Sequence, residues 1–195
     1  MKKLVLLFLI VLPISIYSQN IDIRLLRTIN SPEVLPSDGF FRFISNSDIY
    51  VITGIPVTMG IFGLAKHDDK LLRNACVIGG ATLINLGITT ALKYSINRER
   101  PFITYPDIIN KTGKKLKDPS FPSGHTSTAF TMATSLSLEY PKWYIIVPSY
   151  TYASVVGYSR LHLGVHYPSD VLIGAVIGTG SAYITHIINK KLKLK

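Results

Sequence analysis

Residues 74–92 read NACVIGGATLINLGITTAL, nineteen positions without a charged side chain. A helix rises about 1.5 Å per residue, so this run reaches about 28 Å, close to the apolar thickness of a bilayer. Its Gly, Ala and Thr content suits close helix packing in lipid. Four further apolar stretches, 49–65, 126–140, 143–158 and 171–188, have the same small-residue character. Together they predict an all-α fold, a membrane helical bundle, and an N-terminal apolar run brings the count to five to six spans. Stretches this short also suit the buried helices of a soluble bundle, which stands as the alternative.

Working outward, Lys2 and Lys3 precede an apolar run from Leu4 to Ile16 that ends at Ser18 and Gln19. This reads as an export signal or a first short span, and either outcome places the residues after Gln19 outside the cytoplasm. The chain therefore divides into 1–18, a signal peptide or first membrane span, 19–48, an external N-terminal segment, and 49–195, a helical domain. The basic connection Lys66 to Arg73, Lys142 and the tail Lys190 to Lys195 then fall on the cytoplasmic side. The segment 93–125 is also basic but faces outward, so its charges need another purpose. Pro101, Pro106, Gly113, Pro119 and Pro122 break it into a long loop, where function tends to concentrate.

Composition narrows the class. Lys and Arg number 21 against 11 Asp and Glu, a net charge of +10, while 47% of residues are hydrophobic. Soluble nucleic-acid binders rarely combine these features, and the basic residues lack the aromatic interleaving of single-strand binders, so nucleic acid is set aside. A membrane surface or a phosphorylated substrate fits the pair better. Cys76 is alone, so the chain by itself can form neither a disulfide nor a cysteine metal site, and its apolar surroundings mark it as a packing residue.

Three clusters hold the residues able to handle a phosphate. The first is Lys93, Arg100 and Pro101. A helix continuing from 74–92 to the proline would put Lys93 and Arg100 on one face, and together a point charge and a forked guanidinium suit a dianion. The second is Pro122, Ser123, Gly124 and His125 at the start of 126–140, where free backbone amides can hold an oxyanion beside an imidazole. The third is Ser159, Arg160, His166 and Asp170. Pro168 opens the last helix and places Asp170 in its first turn, within reach of His166, and a carboxylate on one ring nitrogen leaves the other free to attack. His67, His162 and His186 read as helix-end histidines without comparable partners. Alternating spans bring all three clusters to the same, outward face.

In order and internal spacing these clusters resemble the signature of the type 2 phosphatidic acid phosphatase superfamily, shared with bacterial acid phosphatases and vanadium haloperoxidases. The resemblance covers 93–170 and leaves the first 48 residues outside it. It implies that Lys93, Arg100 and Arg160 bind phosphoryl oxygens, with Ser123 and Gly124 donating to them. It further implies that His166 attacks phosphorus, Asp170 orients it, and His125 protonates the leaving oxygen. Residues 49–195 would then be the phosphatase helical domain, with its site at the outer face of a bacterial inner membrane. Three cations and oriented amides can stabilise the transferred group, so no metal and no cofactor is expected. The expected partners are a lipid phosphate and the membrane: phosphatidate, phosphatidylglycerophosphate, undecaprenyl diphosphate or lipid A. Three other readings remain: a soluble periplasmic acid phosphatase, a vanadate-dependent halide oxidant, and a non-enzymatic scaffold for anionic headgroups.

Overall fold

The computed structural model describes residues 21–193, so the expectation for residues 1–18 lies outside the described residues. Helix α1 covers 21–29. It is followed by α2 (Asp38–Lys66), α3 (Asp69–Ile96), the short α4 (Pro101–Thr104), α5 (Gly124–Glu139), α6 (Trp143–His162) and α7 (Pro168–Lys193). The apolar stretch 49–65 is thus the C-terminal part of a helix that already begins at Asp38. His67, in the left-handed conformation with φ 53°, ends α2, and the Asp68 carboxylate caps α3 by accepting from the Leu71 amide at 3.0 Å. This tight turn makes α2 and α3 an antiparallel pair.

The side chains are distributed inside out relative to a soluble bundle. Ile61, Leu64, Leu83, Leu172 and Val176 are exposed, while Asn85, Thr89, Ser127, Thr131, Thr134 and Ser181 are buried. The interior polar groups bond one another: Asn85 Nδ2 donates to Ser127 Oγ at 3.1 Å, and Thr131 Oγ1 donates to the Gly178 carbonyl at 3.2 Å. Apolar surface facing outward on this scale is what lipid, rather than water, solvates. The chain is a membrane protein with an all-helical fold. Cys76, expected to pack inside, is exposed on α3, because a helix in lipid turns apolar residues outward as readily as inward.

Among the described residues three helices are long and apolar enough to cross a membrane: α2, α3 and α7. The expected count of five to six is not reached by this measure. With 16 residues α5 extends about 24 Å, short of a bilayer's apolar thickness of about 30 Å, and α6 is rich in Tyr and Ser. Helix α5 is the central element, packed against α7, α6, α3 and α2.

The α5–α7 contact positions the site. A Cβ on Gly178 would lie 2.1 Å from the Ser127 carbonyl oxygen, and one on Gly174 would lie 2.8 Å from that of Ser123. Only glycine permits this approach. It brings the two helix starts together, where the Ser123 amide donates to the Asp170 carbonyl at 3.0 Å.

Candidate active site

The three clusters meet at one end of the bundle, formed by the end of α3, the start of α5, the end of α6 and the start of α7. Helix α3 stops at Ile96, and Asn97 turns left-handed at φ 49°. Arg100 caps α4 in extended conformation, as a residue preceding proline prefers. Lys93 and Arg100 therefore do not share a helix face, contrary to the sequence expectation. They converge by a different route. Lys93 Nζ lies 2.9 Å from Asp118 Oδ2, Arg100 Nη2 lies 2.9 Å from Asp118 Oδ1, and Arg100 Nε donates to the Asp118 carbonyl at 2.9 Å. Lys93 Nζ also donates to the Pro119 carbonyl. Lys93 and Arg100 hold the Asp118 carboxyl near 2, well below its usual range and against the opposing effect of burial. One carboxylate thus sits where two cations await an anion.

Arg100 is buried and reaches the third cluster. Its Nη1 donates to the Val165 carbonyl at 2.9 Å and stands 3.3 Å from His166 Nε2. On the far side of the ring, His166 Nδ1 is 3.4 Å from Asp170 Oδ2, longer than a formed hydrogen bond but correctly paired for one. Burial, with Arg100 beside the ring, lowers the His166 pKa to about 3 despite the pull of Asp170. The imidazole is neutral, and a neutral ring with one nitrogen facing a carboxylate and the other facing cations can act as a nucleophile.

Asp170 is fully buried and held from several directions. Arg98 Nη1 donates to Oδ1 at 2.7 Å, the Tyr167 amide donates to Oδ2 at 2.9 Å, and Ser120 Oγ also donates to Oδ2. Arg98 is itself fixed by Asp22 at 2.9 Å and stacks 3.7 Å over the Tyr167 ring. Asp22 belongs to α1 and also accepts from the Ser169 amide at 2.9 Å. Arg98, Asp22 and Asp118 were missed in the sequence, since each is an ordinary surface-type charge until the fold pairs it.

At the start of α5, Ser123 is buried, and its hydroxyl is 2.9 Å from Thr126 Oγ1. It does not cap the helix, which leaves first-turn amides available. Gly124 lies against the Lys93 stem, with a Cβ position 4.0 Å from Lys93 Cε. His125 and Arg160 line one cavity. Arg160 is buried, with Nη1 donating to Ser45 Oγ and Nε lacking a hydrogen-bond partner. All eight residues singled out in the sequence are thus gathered here. Among the described residues no group of three or more His, Cys, Asp or Glu side chains gathers as a metal ion would require.

His162 ends α6, as expected, but is not without partners. It is buried, with Nε2 at 2.6 Å from Asp38 Oδ1 and its ring 4.3 Å from that of Phe41, and the same carboxylate oxygen lies 3.3 Å from Lys111 Nζ. His186 likewise has a partner, Glu139 at 2.9 Å, whereas His67 does sit at a helix end.

Arg and Lys side chains gathered beside a carboxylate-backed histidine suit the charge stabilisation that phosphoryl transfer requires. The profile of the PAP2 superfamily matches residues 74–193. The chain is 33% identical to an undecaprenyl-diphosphatase of Sulfolobus acidocaldarius over 93% of this chain and 87% of that one. The crystal structure of Aquifex aeolicus LpxE superposes with a TM-score of 0.69 at 32% identity, covering 85% of this chain and 94% of that one. A transmembrane PAP2 type phosphatidylglycerolphosphate phosphatase from Bacillus subtilis shares the fold, with a TM-score of 0.70 at 23% identity and 98% of both chains covered. The chain belongs to the PAP2 superfamily, and with it to the phosphoric ester hydrolases.

Proposed function

We propose that this protein hydrolyses a phosphate ester or anhydride of a membrane lipid through a phosphohistidine intermediate, at a site on the outer face of a bacterial inner membrane. The carrying observation is the placement of His166 Nε2, 3.3 Å from Arg100 Nη1, with Asp170 behind the opposite ring nitrogen. A lipid phosphoryl group takes the place of the Asp118 carboxylate between Lys93 and Arg100, and Arg160, Ser123 and Gly124 complete its cradle. Nε2 attacks phosphorus, the phosphorus–oxygen bond to the lipid breaks, and the departing oxygen takes a proton through His125. Burial and the nearby Arg160 depress that imidazole to about 2 in the empty site, so it is neutral at rest and the proton it passes on is one that the phosphate monoanion brings. Water then attacks the phosphohistidine, His125 takes up its proton, and inorganic phosphate leaves. Asp170 holds the ring and stabilises its charge as the bond forms.

Preorganised cations acting on developing charge supply what a divalent ion supplies in other phosphatases. The outer-face placement rests on the basic 93–125 segment, which breaks the inside-positive pattern of the other loops. The test is phosphate release by purified protein in detergent from a panel of phosphorylated and diphosphorylated lipids. Wild type should turn over in excess chelator, and His166→Asn, folded by its unfolding temperature, should not. Turnover by folded His166→Asn, or a divalent-ion requirement, would defeat the mechanism. Recovery of the protein in the soluble fraction without detergent would favour small phosphomonoesters as substrates instead.

A further inference from the structure

A cavity of about 130 Å³ opens on the His125 side of the site, away from Asp118. Arg42, Asn46, Thr112, Lys114, His125 and Arg160 line it, and no carboxylate does. Arg42 makes no ion pair among the described residues, and Lys114 Nζ donates to the neutral Asn46 side chain at 2.9 Å. Arg160 has the Asp48 and Asp118 carboxylates within electrostatic reach, whereas Arg42 and Lys114 are exposed cations, and all three attract an anion that enters the cavity.

The wall carrying Lys114 is built rather than loose. Buried Lys111 donates to the Glu33 carbonyl at 2.6 Å and pairs with Asp38, and the Lys111 amide donates to the Leu163 carbonyl at 3.1 Å. Asn30 clamps the same loop, with its Oδ1 accepting from the Ile109 amide at 2.9 Å and its Nδ2 donating to the His162 carbonyl at 2.9 Å. Thr112 Oγ1 accepts from the Lys114 amide at 3.1 Å, which fixes the turn from which Lys114 projects. Two separate elements, α2 with Arg42 and this loop with Lys114, thus each contribute a cationic residue to the lining of the cavity that His125 also lines.

We infer that this cavity is a second phosphate subsite, occupied by a phosphoryl group on the leaving-group side, so that the preferred substrate is a lipid diphosphate. The inference rests on the assignment of His166 as nucleophile and His125 as the leaving-group side. In the reaction Nε2 attacks the terminal phosphorus and the bond from that phosphorus to the bridging oxygen breaks. The bridging oxygen stays with the lipid monophosphate, whose new charge Arg42 and Lys114 receive together with the proton passed on through His125. Water later releases the terminal phosphate from the histidine.

The experiment compares farnesyl diphosphate with farnesyl phosphate in nonionic detergent, using wild type, Arg42→Gln, Lys114→Gln and the double variant. The double variant should lose about tenfold more kcat/KM on the diphosphate than on the monophosphate, the scale expected when charge-assisted contacts to a second phosphate go. Equal losses on both substrates, or none, would overturn the subsite. An effect that appears only when anionic lipid is added would assign the cations to a bilayer headgroup and also overturn it. Binding of inorganic pyrophosphate and phosphate, read from protection against thermal unfolding, needs no turnover. Wild type should prefer pyrophosphate by about tenfold, and the double variant should lose that preference. If wild type hydrolyses neither lipid yet shows the pyrophosphate preference, the catalytic reading fails while the subsite stands. Active wild type without that preference overturns the subsite and leaves the catalytic reading in place.

Discussion

Replacing Arg100 with lysine keeps the charge and removes the fork. In the resting structure the guanidinium uses all three nitrogens, on the Asp118 carbonyl, the Asp118 carboxylate and the Val165 carbonyl, each at 2.9 Å. A lysine ammonium reaches one of these places at a time. When phosphate replaces the Asp118 carboxylate, the variant loses one to two charge-assisted hydrogen bonds worth about 1.5–3 kcal/mol each. The retained charge offsets part of this, leaving a loss of about 2–4 kcal/mol in transition-state stabilisation. That corresponds to roughly 30- to 1000-fold in kcat/KM. The Val165 carbonyl, in a buried setting, also loses its donor, which costs about 1–3 kcal/mol of stability. The assay is kcat/KM for phosphate release from a lipid phosphate in detergent, paired with the unfolding temperature so that rates are compared on folded protein. Wild-type kcat/KM in folded Arg100→Lys would show that the guanidinium is not a phosphate ligand and that the pocket is misassigned.

Arg98→Met should lower kcat by about tenfold or more with little change in KM, because it acts on His166 through Asp170 and does not touch substrate; a change confined to KM would place Arg98 in the binding site instead. His125→Ala should lose far more activity on an alkyl phosphate than on nitrophenyl phosphate, whose leaving group departs without a proton, and equal losses would remove the general-acid role. The His166 imidazole should show no titration between pH 5 and 8 by NMR, since its folded pKa is depressed to about 3. Because the unfolded histidine takes up its proton near 6.5, stability should fall as pH drops from about 6.5 toward 3, and His166→Asn should blunt that fall. An imidazole midpoint near 6.5 in the folded protein would contradict the buried, neutral ring.

The helices and the meeting of the three clusters were legible because both depend on local pattern. Long apolar runs mark helices, and alternating direction puts alternate ends together, so Lys93, His125, Arg160 and His166 could be assigned to one face without coordinates. The link between Lys93 and Arg100 was not legible. It depends on Asn97 taking a left-handed turn and on a carboxylate eighteen residues beyond Arg100 folding back, and neither leaves a periodic trace. Residues 19–48 were opaque for the same reason. Asp22 has no local signal as a partner of Arg98, seventy-six positions away, yet it fixes the arginine that fixes Asp170. His162 was misjudged because its partner Asp38 lies 124 positions upstream. The outward-facing cysteine on α3 was misjudged on physics rather than distance, since the rule that apolar means buried holds in water and lapses in lipid.

The two carboxylates of the site show how burial assigns opposite roles to one chemical group. Asp170 has no exposed side-chain surface and is tied to Arg98, Ser120 and the Tyr167 amide. Removing it from the site would take one of two carboxylate partners from the partly buried Arg98, leave the Tyr167 amide without its acceptor and leave the buried His166 ring without a carboxylate. Asp118 is 44% exposed on its side chain, sits on a loop, and can exchange Lys93 and Arg100 for water. A phosphate dianion brings more charge and more acceptor oxygens to the same two cations, so it can displace Asp118 at little cost while Asp170 stays in place. On the proposed mechanism the pocket is therefore kept organised by a carboxylate the substrate can move, and His166 is kept aligned for attack by one it cannot.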